Sequence, residues 1–165
     1  MYYQSLMSIK ENLSSNGEGV TRILESLDKW LISLSSQGLE RINPYQFSLD
    51  YDYNERDVLR IFLQGSKENL FRIIYEVRND EDEYIGQITE EQYRKLIVDE
   101  DPLFLYSRYS DEECEFFPHN VEIWFSINMK PIDIPEVISS PKKAVASPLT
   151  GDDKNSDLFR DLMGR

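Results

Sequence analysis

Leu70-Phe71-Arg72-Ile73-Ile74-Tyr75-Glu76-Val77 is the stretch whose reading decides the fold class. It is rich in β-branched and aromatic residues, and Phe71, Ile73, Tyr75 and Val77 fall on one face of an extended chain. It reads as a strand. On its N-terminal side the pattern is helical. Val20, Ile23, Leu24, Leu27, Leu31 and Leu34 recur every three or four residues, with Trp30 alongside, and Arg22, Glu25, Asp28 and Lys29 take the other side. That spacing predicts an amphipathic helix of about four turns, ended near Gly38. A shorter helix over 4–13 would carry Leu6, Ile9 and Leu13, and 14–19 would break it. Asn54, three residues before Asp57, predicts a helix start, followed by Val58, Leu59, Ile61, Phe62 and Leu63 up to Gly65. Residues 44–51 stay ambiguous. Tyr45, Phe47, Leu49 and Tyr51 alternate as in a strand, yet Pro44 suits a first helical turn.

On the C-terminal side, Tyr84-Ile85-Gly86 suggests a short return strand, and Thr89 with Gln92 forms a capping-box pattern opening a helix with Tyr93, Leu96 and Ile97. Leu103-Phe104-Leu105-Tyr106 reads as another strand. So does 121–127, where Val121, Ile123, Phe125 and Ile127 alternate with Glu122, Trp124 and Ser126. The acidic segment 110–120 would join these two as a long hairpin loop. The expected class is α+β: N-terminal helices, winged-helix-like, packed on a small, mostly antiparallel sheet, with a disordered C-terminal tail. The expected organisation is an N-terminal segment over 1–19, a globular domain over 20–131, a flexible linker over 132–155 and a short tail motif over 156–165. Pro131, Pro135, Pro141 and Pro148 interrupt any periodicity in the linker. In the tail, Leu158, Phe159, Leu162 and Met163 make an apolar patch that Ser156 can cap. An isolated helix this short does not form in water, so it folds on a surface, its own or a partner's, or frays.

The chain holds 165 residues with 31 acids and 18 bases, a formal charge of −13. Nearly all of this belongs to residues 45–130, with twenty acids against nine bases. The densest runs are Asp80-Glu81-Asp82-Glu83, Asp99-Glu100-Asp101 and Asp111-Glu112-Glu113 with Glu115, all expected on loops. Such a balance argues against nucleic acid, which draws on a Lys/Arg footprint, and against anionic membranes. The runs read either as solvated turns or as an acidic face for a basic partner. One cysteine allows no internal disulfide, and one cysteine with one histidine cannot complete a conventional zinc site. Cys114 and His119 sit in an acidic loop that would raise a thiol's pKa, which argues against a nucleophile–base pair. Asp50, Asp52, Asn54 and Glu55 are spaced somewhat as in a calcium loop but lack its glycine and terminal glutamate. Phosphate loops, GxSxG and HExxH are missing from the sequence, so no cofactor and no catalytic residues are expected. No leader and no span-length apolar run is seen, and the expected location is cytoplasmic.

Gly38-Leu39-Glu40-Arg41-Ile42-Asn43-Pro44-Tyr45, then Val58-Leu59 and Phe62-Leu63, then Asn69 to Val77, resemble the helix-turn-helix plus zinc-ribbon-like module of bacterial signalling and defence proteins. The module's last strand resembles Val121 to Ile127. The resemblance implies cysteine pairs near Asn79–Glu83 and Ser110–Cys114, of which only Cys114 is present, so it implies a lost metal. It also implies a setting in bacterial signalling or antiviral defence. The expected function is a non-enzymatic adaptor or regulatory subunit. It would bind a partner with a basic surface or an apolar groove through Asp80, Glu81, Asp82, Glu83, Asp111, Glu112 and Glu113, or through Leu158, Phe159, Leu162 and Met163. Two alternatives stand beside it: an acidic inhibitor or immunity protein covering a basic nucleic-acid-binding site, and a winged-helix DNA binder using Arg56, Arg60, Lys67 and Arg72.

Overall fold

The structure, a computed structural model, describes residues 6, 8, 9, 11, 17–127 and 145–164. It is mixed helix and antiparallel sheet, as the sequence predicts. The described elements are α1 (Gly17–Ser33), α2 (Ser36–Glu40), α3 (Pro44–Tyr51), α4 (Glu55–Lys67), β1 (Phe71–Arg78), β2 (Tyr84–Ile88), α5 (Glu90–Ile97), β3 (Leu103–Ser107), β4 (Glu112–Phe116), a 3-10 turn (Pro118–Asn120), β5 (Val121–Ile127), β6 (Leu149–Thr150) and α6 (Ser156–Met163). The chain divides into two compact units, each built from two segments: 1–72 with 125–147, and 73–124 with 148–165.

The first unit is helical. Ile23, Leu24, Leu27, Trp30 and Leu31 of α1 are buried, as are Leu6 and Ile9 before it. The ambiguity at 44–51 resolves as helix: Asn43 Oδ1 accepts the Tyr45 N–H (3.0 Å), and Pro44 sits where a helix has no N–H to satisfy. Asn54 caps α4 through the Asp57 N–H at 3.1 Å. The core closes on a ring cluster. Phe62 stacks on Phe71 (centroids 4.6 Å apart) and meets Phe125 edge-on at 5.3 Å. Gly65 allows this, because a Cβ there would stand 2.6 Å from the Phe71 ring. Phe125 also exchanges backbone hydrogen bonds with Ile42 (2.6 and 2.9 Å). Asp50 takes a structural role at odds with calcium binding: one carboxylate oxygen accepts from Trp30 Nε1 (3.0 Å), the other from Gln46 Nε2 (2.9 Å). Gln46 Oε1 in turn accepts the Ala146 N–H, and Asn43 Nδ2 donates to the Ser147 carbonyl.

The second unit holds most of the sheet, whose strand order is β2-β1-β5-β6. β1 pairs antiparallel with β2, matching Tyr75 to Ile88 and Val77 to Gly86, and β5 pairs antiparallel with β6. Both halves of the Thr89–Gln92 capping box form (3.1 and 2.8 Å), starting α5. Tyr93 of α5 is fully buried, stacks on Tyr75 at 4.4 Å and meets Phe159 of α6 edge-on at 6.3 Å.

Three expectations need correction. Segment 110–120 is not one long loop. β4 pairs with β3 along its whole length, from Leu103–Phe116 to Ser107–Glu112, as a separate two-stranded sheet. The linker expected over 132–155 lies partly outside the described residues, but from 148 it belongs to the second unit, where Leu149 is buried and paired with Ile123. Gly151 follows, its N–H donating to the Val121 carbonyl (2.9 Å); a Cβ there would stand 2.6 Å from the Pro118 carbonyl oxygen. The tail, expected to be disordered, carries a helix, and of the outcomes left open for its motif the one seen is docking on its own unit, with Leu158, Phe159 and Met163 buried. Burying a phenylalanine is worth on the order of 2 kcal/mol, enough to hold two turns that would not form alone.

Candidate functional site: an acidic cleft beside an open hairpin

The second unit carries 19 acids against 7 bases, net −12; the first carries 12 against 11, net −1. The concentration has a shape. The turn between β1 and β2 is tied by Asn79, whose Oδ1 accepts the Glu81 and Glu83 N–H groups (3.1 and 2.8 Å) and whose Nδ2 donates to Glu83 Oε1 (2.9 Å). Asp82 sits at a φ of 62°, a left-handed value that aspartate tolerates. Asp80 fixes this turn to the 3-10 turn. Its Oδ1 accepts from Asn120 Nδ2 (3.0 Å) and lies 3.1 Å from His119 Nε2. Those contacts, Asn120 first, hold the exposed Asp80 carboxyl below the usual carboxylate range.

Across from this turn stands the β3–β4 hairpin. Its four-residue loop closes through the Asp111 N–H on the Ser107 carbonyl (2.8 Å) and through a hydrogen bond from the Tyr106 hydroxyl to Asp111, which raises the Tyr106 pKa. Arg108 lies over the Tyr109 ring, 5.1 Å from its centroid, and bonds its hydroxyl. Between turn and hairpin opens a cleft of about 510 Å³, lined among others by Asp80, Glu81, Glu83, Tyr109, Cys114, Glu115 and Phe117. Two of the three acidic runs predicted from sequence thus border one cleft. Asp82, Asp111, Glu112 and Glu113 belong to the same two runs but lie outside its lining. Asp99-Glu100-Asp101, beyond α5, takes no part. The exposed carboxylates of Glu81, Glu112, Glu113 and Glu115 form no ion pair among the described residues. Arg78 is engaged with Glu76 and Glu122, at 3.9 and 3.3 Å.

Comparison with known proteins finds no matching family model, no similar curated protein and no similar solved structure.

Cys114 and His119 do not form a unit: Cys114 Sγ contacts Ser110 Oγ (3.3 Å), whereas His119 is engaged with Asp80 and stacks on Phe117. Among the described residues no group of three or more His, Cys, Asp or Glu side chains is placed to hold a metal ion. The two stretches at which the resemblance would put cysteine pairs both contribute to the cleft. The apolar tail residues are placed differently. Phe159 is inside, and only Leu162, half-buried, and the edge of Met163 border a shallow groove with Glu90, Glu91 and Arg94. Of the four bases proposed for DNA, Arg60, Lys67 and Arg72 are exposed and Arg56 is half-buried, on α4 and the start of β1 in the first unit. Sequence reasoning missed the aromatics: Phe104, Tyr106, Tyr109 and Phe117 are 46–59% exposed around the acids. The available clue was that Phe104 and Tyr106, two apart on an expected strand, share one face. No helix among the described residues is long and apolar enough to cross a membrane.

Proposed function

We propose that this chain is a non-enzymatic adaptor or regulatory subunit that binds a basic partner protein through the acidic face of its second unit. The reading is carried by one observation, the meeting of two acidic runs around a single cleft rimmed with exposed tyrosine and phenylalanine. Charge of one sign beside exposed aromatic rings is the composition of a contact surface. The apolar tail, spent on the unit's own core, leaves the acidic face as the free one. The proposal sets the protein in the cytoplasm, where a lone free cysteine is ordinary.

The test is partner recovery from lysate by tagged chain, comparing wild type with the Glu81→Gln, Glu83→Gln, Glu113→Gln, Glu115→Gln variant. Recovery should fall with the variant and also for wild type at about 0.5 M salt, where screening is short-ranged. A partner held equally well in all three conditions sinks the reading. The net charge of −12 also favours a second reading, an acidic inhibitor covering a basic nucleic-acid-binding site. It differs in one outcome: an excess of duplex DNA would then displace this chain from its partner.

A further inference from the structure

β3 and β4 form a two-stranded sheet, and no described strand pairs with β4 on its other side. An open strand edge is a template for another chain, and natural proteins manage it with charge. The β4 side chains settle which chains are admitted. Glu113 and Glu115 point to the exposed face, opposite Tyr106 and Phe104, which are 59% and 53% exposed. Cys114 and Phe116 point to the other face with Leu103 and Leu105 and are half-buried or buried. A strand added to β4 would set its own side chains about 5 Å from Glu113 and Glu115 at every second position. A second copy would bring glutamates there and be repelled. A cationic residue would be attracted, and its aliphatic stem would cover ring surface.

We infer that β4 accepts an extended partner segment by strand addition, one in which lysine or arginine alternates with small or β-branched residues. The inference rests on the adaptor reading and makes it specific. Backbone pairing along Glu112–Phe116 would supply affinity, and the two-residue charge period would supply register.

The probe is a peptide of about eight residues, a usual strand length, alternating lysine and threonine. It is compared with the same residues in block order and with an alternating glutamate–threonine peptide, all against the full chain. The alternating cationic peptide should bind on the order of fivefold tighter than the block peptide and should slow amide exchange across 112–116. The Glu113→Lys, Glu115→Lys variant should lose on the order of tenfold in affinity for it and gain affinity for the glutamate peptide. Equal binding of both cationic peptides overturns strand addition, as does binding that leaves 112–116 unprotected. Either result leaves the adaptor reading standing, since that reading falls only with charge-indifferent partner recovery. The exchange measurement uses the wild type, so it decides even where the double variant folds poorly.

Discussion

The two units contrast in what holds them and in what they show to solvent. The first is nearly neutral, and its polar network turns inward: Trp30, Asp50, Gln46 and Asn43 bond to one another or to backbone. The second carries almost the whole charge deficit, its carboxylates outnumbering its cations by nineteen to seven. Each still packs around a trio of rings, Phe62, Phe71 and Phe125 in the first and Tyr75, Tyr93 and Phe159 in the second. The lesson is that charge and core are separable. A unit of net −12 keeps the same kind of centre as its neutral neighbour and places its charge on loops and on one open strand.

Trp30 and Trp124 fall one in each unit, so single-tryptophan variants (Trp124→Phe or Trp30→Phe) can follow the two separately. The largest effect is expected from ring removal. Phe62→Ala should destabilise the unit reporting through Trp30 by about 3–5 kcal/mol, and Phe159→Ala the unit reporting through Trp124 by a similar amount. Identical shifts at both tryptophans for either variant would erase the distinction between units. A matched glycine pair comes next. Gly65→Ala meets the packed Phe71 ring and Gly151→Ala the Pro118 carbonyl, each costing about 1–3 kcal/mol in its own unit by urea titration.

Burial raises the pKa of Tyr75 and Tyr93 well above the ordinary phenol value. Their contribution to stability is therefore complete below about pH 10 and is lost as pH rises past it, because the unfolded chain ionises first. Ultraviolet titration should show these two phenols, both in the second unit, ionising only as the fold opens. Salt should act more gently. Raising ionic strength should stabilise the second unit by relieving self-repulsion and leave the first nearly unmoved; equal responses at both tryptophans would break the comparison. The smallest expected effect is local. Asn120→Ala should move the Asp80 carboxyl titration, followed by NMR, upward toward the ordinary aspartate range, because the Asn120 hydrogen bond is the first cause of its lowering. The tie that remains, Asp80 to His119, would then weaken on acidification at a higher pH than in wild type.

Most of the helical framework was legible because its signals are local. The stripe from Val20 to Leu31, the Asn54 cap and the Thr89–Gln92 box each need only neighbours three or four residues away. The strand β4 was not legible. Glu112, Glu113 and Glu115 are poor strand formers, and the segment extends only because Leu103–Ser107 offers a partner. The helix at 44–51 was half legible: its Asn43 cap and Pro44 start were visible, but alternating aromatics imitated a strand. The acidic runs were visible as composition, whereas their meeting depends on Asp80 reaching Asn120 across forty residues. No spacing rule contains that contact. The tail's amphipathic turn was visible too, but its destination was set by the Tyr93 ring that Phe159 meets.

Both units are discontinuous in sequence, and the segments alternate. A ribosome releases the residues up to Arg72 first, yet the ring cluster of that unit stays open until Phe125 emerges, 53 residues after Arg72. At about 5–20 residues per second the delay is on the order of 3–10 seconds. During that interval Phe62 and Phe71 lack their third ring, and a nascent chain stalled before Phe125 would present exposed aromatic surface to whatever chaperone waits at the tunnel exit.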